Sequence, residues 1–385
     1  MRTAVVVGSG VGGLAAARAL QLLGWTVQVL EQAPRLDPLG AGISLWPNAG
    51  RALQALAVPF DHPGVPPTAC GVRTSSGRWL TRTDPSAYPA RYGAPLVAVH
   101  RAQLQQALLG SLEPGTVVTG ARVSRVTQGS ATPHQVVVEH SRGSHHVDLA
   151  VLADGLNSTT RHLVTGPRPR PRYAGYTAWR GLTRSDAGLP WAGGATESWG
   201  RGQRFGIVPL ADGRTYWFAT ANAPELERAP DSEHAEVLRR FAGWHPPIRD
   251  VVRASAPDAV LRHDVYDLRP DPASYVRERL VLLGDAAHAM TPNLGQGACQ
   301  ALEDAATLGA LLRQRSDVDE ALRRYDVLRR PRAQGISRRS RQVGRIGQLS
   351  GRATTAARDV LMELTPAALA DRQYDSTLSW TPDSG

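Results

Sequence analysis

Lysine is absent from this 385-residue chain: all 44 basic residues are arginine, against 34 acidic ones, and they run from Arg2 to Arg372. A net charge of +10 spread this evenly reads as an encoding bias toward arginine rather than as a nucleic-acid-binding surface. Only Arg323 to Arg345 is dense enough to resemble a basic patch, and its plainer reading is a solvated face of C-terminal helices. Cysteine is nearly absent as well. Cys70 and Cys299 stand far apart with no C-x-x-C neighbour, which excludes a disulfide framework and makes a reducing cytoplasm the expected compartment. No run approaches the roughly 18 uninterrupted apolar residues of a membrane-spanning helix. The early run Ala4–Val7 is cut by glycines too soon to act as a signal sequence. There is no G-x-S-x-G elbow and no residue set for a hydrolytic triad. What is present, 42% hydrophobic and 20% charged residues without a low-complexity tract, is an enzyme-sized globular composition.

The first thirty residues carry the sharpest signal. Thr3 to Val7 is a short β-branched run suited to a strand covered on both faces. Gly8-Ser9-Gly10-Val11-Gly12-Gly13 follows and satisfies G-x-G-x-x-G, then Leu14 to Leu23 at helical spacing, then a second strand, Thr26 to Leu30, ending at Glu31. The glycines differ in what they permit. Gly8 allows the tight turn, Gly10 admits a pyrophosphate to the backbone, and Gly13 lets helix and strand pack closely. The helix start offers unpaired N–H groups and a positive dipole end to phosphates. Glu31, roughly twenty residues on, is placed to accept hydrogen bonds from ribose hydroxyls. This unit predicts a bound dinucleotide without separating NAD from FAD.

Two later segments repeat the pattern of a strand running into a glycine–carboxylate turn. Val147–Ala153 leads into Asp154-Gly155-Leu156-Asn157-Ser158, and Arg279–Leu283 leads into Gly284-Asp285, His288, Pro292, Gly295-Gln296-Gly297 and a helix from about Ala298 to Leu312. Taken singly, Asp154-Gly155 is a common turn pair and Asp285 an ordinary helix cap. Together and in this order, the three segments resemble the FAD-dependent aromatic hydroxylases, the group A flavoprotein monooxygenases of the p-hydroxybenzoate hydroxylase type. The resemblance implies that Asp285 binds the ribityl chain of FAD, that Asp154 and Gly155 lie near the pyrophosphate and NAD(P)H, and that Arg101 contacts the flavin from a helix start. Gly295 and Gly297 would set backbone N–H groups and a helix N-terminus against the flavin edge that becomes negative on reduction.

The implied fold is α/β: a Rossmann-like FAD-binding domain from 1–70, 100–168 and 276–345, an inserted, mostly antiparallel substrate sheet from 71–99 and 169–275, and a helical tail over 346–385. Short β-like runs such as Arg204–Val208 and Thr215–Thr220, among many Trp, Tyr, Pro and Gly, agree with an antiparallel insert. No second G-x-G-x-x-G follows Gly13, so NADH or NADPH is expected as a transient co-substrate and O2 as the terminal partner.

Within the family the chain is most similar to FAD-dependent urate, salicylate and hydroxynicotinate hydroxylases, through Gly42–Asn48, Arg172–Tyr176, Phe241–Pro247 and Thr291-Pro292. Arg204 and Tyr216 fall where the urate enzymes keep an active-site Arg and Tyr. Two positions depart from them: Asn293 replaces an Asp, and Trp179-Arg180-Gly181 replaces Trp-Asn-Gly. Trp46, Trp179, Trp217 and Phe218 suit either a substrate cavity or a core. His134, His140, His145 and His146 crowd one stretch without Cys or a carboxylate cage, so no metal site is expected.

The resemblance implies an NAD(P)H-consuming monooxygenase, a monomer or homodimer, that passes one oxygen of O2 through a flavin C4a-hydroperoxide to an aromatic or heteroaromatic small molecule. Two alternatives stay open: an olefin epoxidase, and a non-catalytic flavin- or nucleic-acid-binding protein using its Arg-rich segment.

Overall fold

The computed structural model describes residues 1–36, 42–60, 70–128, 135–185 and 194–382. Thr3–Val7 and Leu149–Leu152, both continuous apolar runs, form the centre of a six-stranded sheet. Their residues are almost wholly buried, as strands covered on both faces must be. The order across this sheet is Val276–Arg277, Leu280–Leu282, Leu149–Leu152, Thr3–Val7, Thr26–Leu30, Val117–Val118. Every neighbouring pair is parallel except the first. Helices Val11–Gln21 and Gly297–Gln314 pack on it. They cross closely, for a Cβ added at Gly309 would lie 3.1 Å from that of Ala19.

A seven-stranded sheet is built from two separate stretches of chain, in the order Leu261–Arg269, Arg170–Leu182, Thr215–Asn222, Gln203–Pro209, Ala195–Trp199, Cys70–Thr74, Trp79–Thr83. It is antiparallel except where Ala195–Trp199 runs parallel to Cys70–Thr74. Alternation along its strands gives two different faces. Phe205, Ile207, Trp217 and Ala219 point into a core with Phe241, Ile248 and Val252 from two short helices, Glu233–Arg240 and Ile248–Arg253. Arg204, Gly206, Val208, Tyr216, Phe218 and Thr220 share the opposite face, cross-strand partners in register. That face is turned toward the first sheet's loops.

The four aromatic residues of undecided role therefore divide. Trp179 and Trp217 are core, with their indole N–H groups donating to Glu233 and Ser255, each at 2.7 Å. Phe218 and Trp46 are only half-buried, outside that core. The histidine stretch forms a hairpin on which His140 and His145 stack at 5.0 Å. His134 lies outside the described residues, and among those described no group of three or more His, Cys, Asp or Glu could hold a metal.

Helix Val318–Gly347, thirty residues long, carries most of the arginine-dense segment. It is not simply a solvated face, because Arg329 is 1% exposed. Helices Arg352–Leu364 and Ala367–Leu378 follow. No helix among the described residues is long and apolar enough to cross a membrane.

Candidate active site

The glycine turn between Val7 and Val11 is shaped as its spacing requires. Gly8 has φ +98°, and a Cβ there would stand 2.6 Å from the carbonyl oxygen of Ala153. A Cβ at Gly13 would meet the Gly8 carbonyl oxygen at 2.0 Å, so helix and strand touch through bare backbone. At Gly10, by contrast, a Cβ would enter open space. The first two glycines are needed for packing; the third keeps clear a concavity in front of the helix start. Glu31 sits beside it, with Oε2 accepting from Ser9 N–H at 3.0 Å and Ser9 Oγ at 2.6 Å, and Oε1 from Ala33 N–H at 2.8 Å. Burial opposes its charge, but these bonds outweigh it and hold the carboxyl below its ordinary range. Lone pairs remain for hydroxyl donors.

Asp154 closes the loop after Leu149–Leu152: its Oδ2 accepts from the N–H groups of Thr159 and Thr160 at 2.9 and 3.1 Å. Its Oδ1 is buried without a hydrogen-bond partner among the described residues, an orphan that calls for a ligand or water. Gly155, at φ +81°, again leaves open space where a Cβ would be. Arg161 ties this loop to the Gly284-Asp285 turn. Its guanidinium donates to the carbonyls of Gly155 at 2.9 Å, Leu156 at 2.8 Å, Ala286 at 2.6 Å and Asp285 at 3.3 Å. The Asp285 carboxylate is exposed at the end of strand Leu280–Leu282, with no described side chain bonded to it. Gly297 lies against it, since a Cβ there would approach Asp285 Oδ1 to 4.0 Å. The structure thus brings Asp285, Gly297, Asp154 and Gly155 to one rim.

Pro292–Leu294 is a single 3-10 turn, and Gly295 ends it in the left-handed region at φ +61°. Pro292 and Gly295 are exposed on the rim. Gln296 is not: its side chain turns inward, where Oε1 accepts from Asn48 at 2.9 Å and Gln300 at 3.1 Å. Arg101 starts helix Arg101–Gly110, whose His100–Gln103 capping box fixes it, and its side chain is exposed.

On the second sheet, Arg204 and Tyr216 share a face but do not meet; the Gly206–Phe218 row lies between them. Arg204 is 2% exposed, paired with Glu197 at 3.1 Å and donating to Asn293 Oδ1 at 2.5 Å. Tyr176 donates to the same oxygen at 3.2 Å. Burial raises the Tyr176 hydroxyl above its usual range, with Arg204 opposing. Asn293 can serve here because its Nδ2 is spent on Thr291 Oγ at 2.8 Å and the Ser340 carbonyl at 2.9 Å, which fixes its Oδ1 as acceptor toward Arg204. The guanidinium on the same face and diagonal to Tyr216 is instead that of Arg180, which stands opposite Phe218 on the neighbouring strand. Burial raises the Tyr216 hydroxyl, and Arg180 acts against that rise. The Tyr216 ring lies on Gly42, where a Cβ would fall 2.3 Å from Cγ.

Beneath the rim lies a buried ion cluster that no local pattern announced. Arg329 bonds Asp304 at 2.7 Å and Glu303 at 2.5 Å, and Arg332 bonds Glu303 at 2.7 Å. Glu303 also accepts from Asn48 at 2.7 Å, and Asp304 holds His288 at 2.6 Å and the Gly284 N–H at 3.0 Å. His288 is therefore a packing residue of this network, and Gly284 and Gln296 are both anchored to it.

These residues fit a flavin dinucleotide. Open backbone at Gly10 and Gly155 suits phosphates, and the orphan Asp154 Oδ1 and the exposed Asp285 carboxylate suit hydroxyl donors.

Comparison with known proteins agrees. The family model described as FAD binding domain matches residues 1–340. The chain is 37% identical over 383 residues to the aurachin C monooxygenase/isomerase of Stigmatella aurantiaca, covering 99% of this chain and 98% of that protein. It is 36% identical over 344 residues to an FAD-dependent urate hydroxylase of Klebsiella pneumoniae subsp. pneumoniae, 88% of each. Among solved structures, Klebsiella pneumoniae HpxO complexed with FAD and uric acid superposes with a TM-score of 0.90 at 33% identity, over 98% of this chain and 96% of that one. The α/β fold with an antiparallel insert and C-terminal helices, implied by the resemblance, is the fold found.

Proposed function

For a chain that belongs to the FAD-binding-domain family of flavin-dependent monooxygenases, we propose NAD(P)H-consuming transfer of one oxygen atom from O2 to an electron-rich aromatic or heteroaromatic ring. The observation that carries this reading is the meeting of two surfaces: the rim of Gly10, Asp154, Asp285 and Pro292–Gly297, and the sheet face of Tyr216, Phe218 and Arg204 that stands over it. Urate, named for one relative, is a nitrogen heterocycle.

The bound flavin supplies the redox chemistry, taking hydride from NAD(P)H and activating O2 for transfer of one oxygen atom. The chain supplies binding and placement. Gly8 to Gly13 receive the pyrophosphate, with Glu31 on the adenosine ribose, Asp285 on the ribityl hydroxyls, and Asp154, Gly155 and Arg101 beside the phosphates and ring. Pro292, Gly295, Gln296 and Gly297 shape the edge against the ring, and helix Gly297–Gln314 turns its positive end toward charge that develops there. Phe218 and Val208 on the sheet face, and Trp46 against Gly295, offer apolar surface that excludes water. Tyr216 and Arg204 lie on the substrate side, Tyr216 as a direct donor and Arg204 by fixing Asn293 and Tyr176.

The test is a panel of phenols and nitrogen heteroaromatics assayed with purified holoenzyme for acceleration of NADH or NADPH oxidation, with product mass determined. Acceleration coupled to a product carrying one added oxygen is expected; if no aromatic compound accelerates oxidation, the reading fails.

A further inference from the structure

We propose that Glu197 is the counter-ion that positions Arg204, and that the charge balance of this pair tunes the reduction potential of the flavin held at the rim beside it. The inference rests on the assignment of the Pro292–Gly297 turn to the flavin.

Arg204 stands in a cage that is short of negative charge. Its guanidinium lies over the rings of Tyr176 at 5.8 Å and Trp199 at 5.9 Å. Gly347 closes on its stem, where a Cβ would fall 2.8 Å from Arg204 Cδ. Thr220 Oγ1 at 3.4 Å and Asn293 Oδ1 accept from it, and both side chains are neutral. A buried cation needs an anion as well as acceptors. The other arginine on the Trp199 ring, Arg358, has its own acid in Asp359 at 2.7 Å. For Arg204 the described residues provide one carboxylate, Glu197 at 3.1 Å.

Glu197 comes from strand Ala195–Trp199, where it stands opposite Gly206, and Gly206 in turn opposes Phe218. It therefore shares the sheet face that carries Arg204. Its Oε1 is buried and has no hydrogen-bond partner among the described residues, so the charge of Arg204 is what holds it there. With side-chain exposures of 2% for Arg204 and 22% for Glu197, water and salt screen the pair poorly. Both charges reach one hydroxyl: burial raises Tyr176, Arg204 lowers it, and Glu197 raises it again. Arg204 meets the rim directly through Asn293, in the turn Pro292–Leu294. Reduction makes the flavin more negative, so an uncompensated Arg204 favours the reduced form and an uncompensated Glu197 opposes it. As a pair they leave the ring close to neutral surroundings on this side.

The experiment reduces holoenzyme slowly beside a reference dye and reads the flavin potential from the two spectra. Glu197→Gln should raise it and Arg204→Gln should lower it. The double variant should return close to the wild type, because two opposite charges leave together. Glu197→Asp keeps the charge and should keep most of the wild-type value. The potential of Glu197→Ala should be drawn back toward the wild type by formate, and not by chloride at equal ionic strength. Flavin content and thermal unfolding are followed for each variant. Should Glu197→Gln hold no FAD, the double variant decides: recovery of flavin supports the counter-ion role, and loss in both overturns it. An unchanged potential in Glu197→Gln, shifts of one sign in both single variants, or equal shifts in Glu197→Asp and Glu197→Gln would likewise overturn the inference. The expected shifts in an enzyme whose NAD(P)H oxidation no aromatic compound accelerates would sink the hydroxylase reading alone.

Discussion

Arg161 donates to the carbonyl of Ala286 at 2.6 Å, while the same guanidinium holds the carbonyls of Gly155 and Leu156. One buried cation thus sets the spacing between the two acidic turns that we assign to the flavin.

Replacing that cation should loosen the cofactor without touching it. Arg161→Ala leaves several carbonyls without their donor, and hydrogen bonds to a charged group are worth about 1.5–3 kcal/mol each. We expect FAD affinity to fall at least about tenfold, read from flavin fluorescence on dilution. Arg161→Lys should recover only part, since a point charge cannot span both turns. Unchanged affinity in Arg161→Ala would show that the turns hold their spacing unaided.

Gly10→Ala and Gly13→Ala separate cradle from packing. At Gly10 the new methyl enters open space, so the flavin-free protein should keep its unfolding midpoint while FAD binding weakens. At Gly13 the methyl would meet the Gly8 carbonyl oxygen at 2.0 Å, and the fold itself should lose about 1–3 kcal/mol. Denaturant titrations of flavin-free protein together with FAD titrations distinguish them, and identical behaviour of the two variants would contradict the assignment.

Asp285→Ala removes an exposed carboxylate with no described side chain bonded to it, so stability without flavin should change by less than about 0.5 kcal/mol. FAD affinity should fall by about tenfold or more. Retention of wild-type affinity in equilibrium dialysis would refute its place on the ribityl chain.

Arg329→Met strips two buried carboxylates of their shared partner and should cost about 3–5 kcal/mol in urea unfolding. The same cluster sets the acid limit. Burial works against the charge of Asp304, yet His288, Arg329 and the Gly284 N–H hold its carboxyl down at about 2. A carboxyl depressed in the folded state gives stability that is fully present above its unfolded value of about 4 and lost as pH falls from there toward about 2. In Arg329→Met that loss should begin at higher pH. An acid-unfolding midpoint that does not move would remove Asp304 and Glu303 from the account.

The glycine turn, Asp154-Gly155 and Gly284-Asp285 were legible as turns because each is local, with neighbours along the chain neighbours in space, and Glu31 because it follows the strand paired with Thr3–Val7. Two other features were not. Arg329 reaches Asp304 and Glu303 from a different helix, and Asn48 joins them from the other end of the chain; in sequence, Arg329 is one arginine in a dense row. Likewise Arg204 and Tyr216 were both expected at the active site, but strand register sets them a row apart and puts Arg180 diagonal to Tyr216. Register is decided by which strands pair, and the sequence shows it only through alternation. Gln296 shared the glycine-rich rim in sequence, yet its side chain belongs to the layer beneath.

The parallel pairing of Ala195–Trp199 with Cys70–Thr74 and of Leu280–Leu282 with Leu149–Leu152 joins stretches that are far apart along the chain. The hairpin Cys70–Thr83 emerges long before the strand that completes its edge. A chain stopped before Leu280 has all seven strands of the inserted sheet but neither Asp285 nor the Pro292–Gly297 rim. With the flavin held as we propose, release of such a chain at Leu280 should give a colourless product.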